Sequence, residues 1–110
     1  MTVEPMIKRM IEKFEHRVER DEVAREKVMP VDKTINIDLG EEHYSFRVKD
    51  AAIHDYRTEL LEDADILVTT TPEYLTQLVQ GDLRPMKAYV TKRVQIKGKI
   101  QDILHLKSLF

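Results

Sequence analysis

Within the first fifty residues the spacing of apolar side chains changes from three-and-four to two, and that change decides the fold class. Val3, Met6, Ile7, Met10, Ile11, Phe14 and Val18 recur at three- and four-residue intervals, the mark of a helix burying one stripe. From Ile35 the period is two. Ile35, Ile37 and Leu39 alternate with Asn36 and Asp38, then Tyr44, Phe46 and Val48 alternate with Ser45, Arg47 and Lys49. Gly40-Glu41-Glu42 lies between the two runs, so the segment predicts a hairpin with one buried face. A helix followed by antiparallel strands is an α+β arrangement.

The first helix is expected to run from a Thr2 cap to Pro30, with Pro5 tolerated in its first turn. Beyond Glu12 it is mostly charged, with Val18, Val23, Ala24 and Val28 as sparse apolar positions. Its like-charge pairs four apart (Lys13 and Arg17, Glu15 and Glu19, Glu22 and Glu26) mean that the stripe holds it, not its surface charges. A third strand is expected within Tyr56 to Leu61 and a fourth within Ala64 to Thr70, joined by a Glu62-Asp63 turn. Thr71-Pro72-Glu73 supplies a hydroxyl cap, a proline at the first helical position and an acid facing the helix dipole. Gly81 stands where that helix stops. Pro85 opens a second short helix. Val94, Ile96 and Ile100 alternate with Gln95, Lys97 and Lys99 as a fifth strand, in which Gly98 marks a bulge or a close approach of another element. From Asp102 a final, mostly apolar helix carries Ile103, Leu104, Leu106, Leu109 and Phe110 to the C-terminus.

With 110 residues, the expectation is one domain over residues 1–110. Cysteine is absent, which excludes disulfides, thiol catalysis and thiolate metal sites. The net charge of -2 gives no pull toward nucleic acid. No apolar run reaches the ~18 residues of a membrane span and no signal-peptide core is present, so a soluble cytoplasmic protein is expected.

Asp63-Ala64-Asp65-Ile66-Leu67-Val68-Thr69-Thr70, Leu75 and Leu78, Gly81-Asp82-Leu83-Arg84-Pro85 with Ala88 after it, Val94-Gln95-Ile96-Lys97-Gly98 and the apolar segment to Phe110 together resemble the sterol carrier protein 2 family. The resemblance covers residues 31–110 well and the N-terminal helix more loosely. The chain departs from the family pattern at Arg84, Thr91-Lys92 and Lys99. The resemblance implies a mostly antiparallel five-stranded sheet covered on one side by helices. It also implies an apolar cavity for a fatty acyl chain, a sterol or an isoprenoid, and no cofactor. Under that reading Leu75, Leu78, Met86, Tyr89, Val90, Ile103, Leu106 and Phe110 line the cavity. The plainer reading is that these side chains fill an ordinary core.

Nothing in the sequence marks a catalyst. His16, His43, His54 and His105 lack metal-ligand spacing, and neither a GxSxG elbow nor a phosphate loop occurs. Asp63 and Asp65 share one side of an extended segment, but turn and strand-start roles account for them equally well. Lys92-Arg93 with Lys97, Lys99 and Lys107 read first as a solvated edge strand, and second as a transient contact for a lipid headgroup or membrane surface. The competing functional reading is an interaction subunit whose apolar C-terminal helix docks a partner or a second copy in a homodimer.

Overall fold

The computed structural model describes residues 2–99 together with 101 and 102. Its elements are α1 (Glu4–Arg20), α2 (Glu22–Val28), β1 (Lys33–Asp38), β2 (His43–Lys49), β3 (Ala52–Arg57), β4 (Ile66–Thr69), α3 (Pro72–Gln80), α4 (Pro85–Val90) and β5 (Gln95–Lys97). The five strands form one sheet in the order β3-β2-β1-β4-β5. Only β1 and β4 run parallel; the other neighbours are antiparallel.

The expected single N-terminal helix is two helices. Continuing the stripe of Ile7, Phe14 and Val18 at 3.6 residues per turn would bring Arg25 inward and leave Ala24 and Val28 off the face. Asp21 resolves this conflict. Its backbone is extended, its N–H donates to the Arg17 carbonyl, and its carboxylate accepts the Ala24 N–H at 3.1 Å. One aspartate thus ends α1 and caps α2, and the new phase buries Ala24 and Val28. Nor is Thr2 the cap of α1. Val3 holds that position without a side-chain bond, and the Val3 N–H donates instead to Glu42 Oε1 at 2.8 Å.

The hairpin of β1 and β2 follows the expected register, with Ile35 opposite Phe46 and Ile37 opposite Tyr44. The third strand lies earlier than Tyr56 to Leu61. Asp50 and Ala51 both adopt positive φ, 54° and 57°, and join Lys49 to Ala52 as a two-residue turn. A register shift follows, where Asp55 also has positive φ. That bulge lets Ile53 and Tyr56, three residues apart, both pack on the core.

Helices α1 to α4 lie over the face carrying Ile35, Ile37, Tyr44, Phe46, Val48 and Ile66. Ile7, Phe14, Val18, Ala24, Val28 and Leu75 close this main core, with Met6 and Met10 packed at its margin. On the other face, residues 58–65 cross from β3 over β2 and β1 to reach β4. Asn36 and Ser45, paired across the hairpin and both buried, hold this crossing. Ser45 Oγ donates to the Glu59 carbonyl at 2.6 Å, and the Asn36 amide exchanges bonds of 2.8 and 2.9 Å with the Leu61 backbone. Two polar side chains at interior positions of a half-apolar hairpin thus take the place of apolar packing on this face.

Candidate functional site

The C-terminal part of the sheet carries a second, smaller apolar cluster. It consists of buried Leu83, Ala88 and Val94, with Val68, Tyr74, Leu78 and Ile96 partly buried around them. Local chemistry builds each wall. The Thr71 hydroxyl accepts the Tyr74 N–H at 3.1 Å and starts α3. Gly81, at φ 85°, ends it in the left-handed conformation, and the Leu83 N–H returns to the Gln77 carbonyl. This closure turns Leu83 back under the helix. Pro85 then opens α4, whose single buried residue is Ala88. The Ala88 carbonyl accepts the Arg93 and Val94 N–H groups, which brings the chain round into β5.

Val68 of β4 faces Ile96 of β5 across the sheet, and the two border both apolar clusters. Gly98 lies directly after β5, where a β-carbon would stand 2.7 Å from the Asp65 carbonyl oxygen. The close approach expected there is therefore real, and it ends the strand at Lys97, short of the Ile100 limit expected from the pattern. Thr70 Oγ1 donates to the Arg93 carbonyl at 2.9 Å, and the Arg93 guanidinium stands 5.8 Å from the Tyr74 ring centroid.

The expected lining residues separate into groups. Leu78 belongs to this cluster, whereas Leu75 is buried in the main core. Met86, Tyr89 and Val90 face solvent, at 52%, 41% and 70% exposure. Ile103, Leu106 and Phe110 lie outside the described residues, as does the helix expected after Asp102. Leu83, Val94, Val68 and Ile96 are site residues that helical spacing alone does not identify. An apolar residue two places beyond a glycine helix stop was the available signal for Leu83.

The polar groups singled out in the sequence serve the frame. Asp65 Oδ2 accepts the Thr34 N–H at 2.9 Å and its hydroxyl at 3.2 Å, while the Asp65 N–H donates to Thr34 Oγ1. Asp63 is exposed in the turn. His43 Nε2 lies 3.4 Å from Asp38, and His54 Nε2 lies 3.1 Å from the Lys49 carbonyl. Among the described residues, no three histidine, aspartate or glutamate side chains are grouped to hold a metal ion. None of the described helices is long and apolar enough to cross a membrane.

Two tyrosines fasten the start of α1 at the opposite end of the sheet. Tyr44 Oη donates to Glu42 at 2.7 Å and Tyr56 Oη to Glu4 at 2.8 Å, with their rings stacked at 6.4 Å. Burial, followed by the Glu42 hydrogen bond, pushes the Tyr44 hydroxyl up to about 12. Burial and Glu4 raise Tyr56 in the same direction. At the sheet surface, a bidentate pair with Arg47 at 2.8 and 3.0 Å holds the Asp32 carboxyl below its usual range.

Comparison with known proteins places this geometry. The model of the SCP-2 sterol transfer family matches residues 11–110. No curated protein matches. Among solved structures, a stereoselective inverting sec-alkylsulfatase, Pisa1 from Pseudomonas sp., aligns with 78% of this chain at 19% identity and a TM-score of 0.68. The chain spans only 14% of that enzyme. The UbiJ-SCP2 ubiquinone synthesis protein aligns over 99% of this chain and 92% of its own, at 16% identity and a TM-score of 0.65. Sterol Carrier Protein 2 Like 2 from Aedes aegypti aligns over 99% and 100%, at 17% identity and 0.64.

Proposed function

The chain belongs to the SCP-2 sterol transfer family, and from that premise we propose that it binds a fatty acyl chain, a sterol or an isoprenoid without catalysing a reaction on it. The observation that carries this reading is the smaller apolar cluster. Val68, Tyr74, Leu78 and Ile96 flank three buried side chains and stay partly open, and the only polar side-chain atom among all seven residues is the Tyr74 hydroxyl. Such a wall offers burial rather than bond-making chemistry. Each methylene taken out of water contributes roughly 0.8 kcal/mol. A chain of about sixteen carbons then provides a gross gain near 13 kcal/mol, set against association costs of about 4–15 kcal/mol. Length of apolar chain therefore governs affinity, and headgroup selection is modest.

Of the lining residues expected from the sequence, Leu78 is retained, and Leu83, Val94, Val68 and Ile96 join it. Native mass spectrometry of protein extracted gently from cells tests the proposal. The expected result is a mass raised by a bound lipid, together with uptake of a labelled fatty acid. A uniformly ligand-free mass with no uptake would refute it.

A second reading is favoured by the nearly end-to-end alignment with a ubiquinone synthesis protein. In it the domain is an assembly or accessory factor in lipid or quinone metabolism, docking through its apolar C-terminal segment. Light scattering on the full chain and on a version ending before Asp102 separates the two. A stable oligomer that truncation converts to a folded monomer, with no lipid uptake by either, supports the docking role.

A further inference from the structure

We propose that the outward face of α4 docks on bilayers of anionic lipid. Ala88 alone of this six-residue helix is buried, which turns Met86 and Val90, four residues apart, to the opposite side. Tyr89 flanks them. Of six large apolar side chains exposed among the described residues, three belong to this short helix. Single exposed apolar residues are ordinary on protein surfaces, but three on less than two turns of helix make a patch.

From Arg84 to Lys92 every charged residue is a cation, with the exposed Asp82 just before that stretch. Arg84 precedes α4, Lys87 lies within it and Lys92 follows it, and all three are exposed. None of them is in an ion pair among the described residues. From Leu83 to Gln101 the sequence holds six of the chain's 18 lysines and arginines and none of its 20 acids. In a chain of net charge -2, the helix that exposes these apolar side chains therefore lies within a stretch that holds cations and no acid.

This combination fits the boundary layer of an anionic bilayer. Met86, Val90 and the Tyr89 ring would enter the acyl margin, while the lysine and arginine stems reach back to headgroup phosphates. A second copy joined through the same face would set like charges against each other, so charge complementarity selects the lipid surface. The inner side of α4 carries Ala88 against Leu83 and Val94, so docking brings the proposed lipid site beside the membrane. In that respect the inference rests on the lipid-binding reading, although vesicle binding and fatty-acid uptake are separate measurements and either can fail alone.

Sedimentation of the full chain with phosphatidylcholine vesicles, with and without phosphatidylglycerol, tests the docking. Binding is expected only with phosphatidylglycerol and is expected to weaken as salt rises from about 0.05 to about 0.5 M. Lys87→Gln combined with Lys92→Gln is expected to lower affinity about thirtyfold. Met86→Ser combined with Val90→Ser should reduce binding at least tenfold with only a small change in the thermal midpoint, since more than half of each residue is exposed. Absence of vesicle binding, equal binding to neutral vesicles, or variants that bind as the parent does would each overturn the proposal. So would a vesicle-free dimer that Val90→Ser dissociates, which would assign the face to a second copy.

Discussion

The core closed by α1, α2 and the β1–β3 meander has more buried than partly buried apolar side chains, whereas the smaller cluster at α3, α4 and β5 has more partly buried than buried ones. Fourteen residues are buried in the main core, with Phe14 and Val48 wholly inaccessible, against three in the smaller cluster. Polar contacts divide in the same way. The meander is fastened by Glu42, Tyr44, Tyr56 and Glu4 at one end and by Asn36 and Ser45 beneath. On the proposed reading, the contrast separates a frame that supplies stability from a region that admits a lipid. Because burial is the main source of stability, partial exposure around Leu78 is sustained by the tightly packed frame beside it.

Substitutions break this comparison in order of expected effect. Phe14→Ala removes a completely buried ring from the frame and is expected to lower unfolding free energy by about 3–5 kcal/mol in urea denaturation. A loss below about 1 kcal/mol would show that the frame is not the stabilising part. Gly98→Ala tests the seam between the parts. Its β-carbon would meet the Asp65 carbonyl at 2.7 Å with the backbone at φ 124°, and about 2 kcal/mol should be lost. Leu78→Ala, in the open cluster, should cost only about 1–2 kcal/mol because the side chain is only partly buried. Its larger effect is expected on fatty-acid uptake, read in a fluorescence displacement titration. Equal loss of stability and no loss of uptake would remove Leu78 from the site.

Alkaline pH sharpens the contrast from the side of the frame. Tyr44 titrates near its ordinary value of 10 when unfolded and at about 12 when folded. The folded state therefore favours the neutral phenol. This contribution is complete below pH 10 and is lost as pH rises from 10 through 12. The thermal midpoint should fall across that window, and the fall should be shallower in Tyr44→Phe. An identical slope in the variant would show that the phenol does not carry the effect.

Much of this division was legible in the residues, and the failures have physical causes. Side-chain chemistry that acts locally was readable: the Thr71 cap, Pro72, the Gly81 stop and the Gly98 approach all lie where their types predict. The helix break at Asp21 was visible in principle, since Val18 and Ala24 cannot share one continuous stripe, but an aspartate in a charged run conceals it. The turn at Asp50-Ala51 carries no glycine or asparagine, so nothing announced two residues of positive φ. The bulge then set Ile53 and Tyr56 three apart, which hides a strand from any test of alternation.

In the smaller cluster, the inward turn of Leu78 was legible because it lies on a helical stripe. Met86, Tyr89 and Val90 satisfied the same spacing, yet a helix of six residues has room for one inward position, and Ala88 occupies it. Leu83 sits in the turn after the Gly81 stop, and Val94, read as the first residue of the last strand, lies just before β5, so helical spacing marks neither. The lesson is that periodicity identifies a buried face only where an element is long enough to have one.

The crossing of residues 58–65 also orders events in time. Strands β1, β2 and β3 are joined by short turns, so their pairing closes small loops. The parallel register of Ile35 with Ile66 joins positions 31 apart in sequence, after the chain has been led across the far face by Ser45 and Asn36. Closing that longer loop carries the larger entropy cost and comes with few contacts until the shorter pairings exist. The sheet is thus expected to assemble from its meander outward, with β4 and β5 joining last and leaving first. Opening in that order would expose Val68 and Ile96 while β1, β2 and β3 stay paired, and faster hydrogen exchange in β4 and β5 than in the meander is the outcome that checks it.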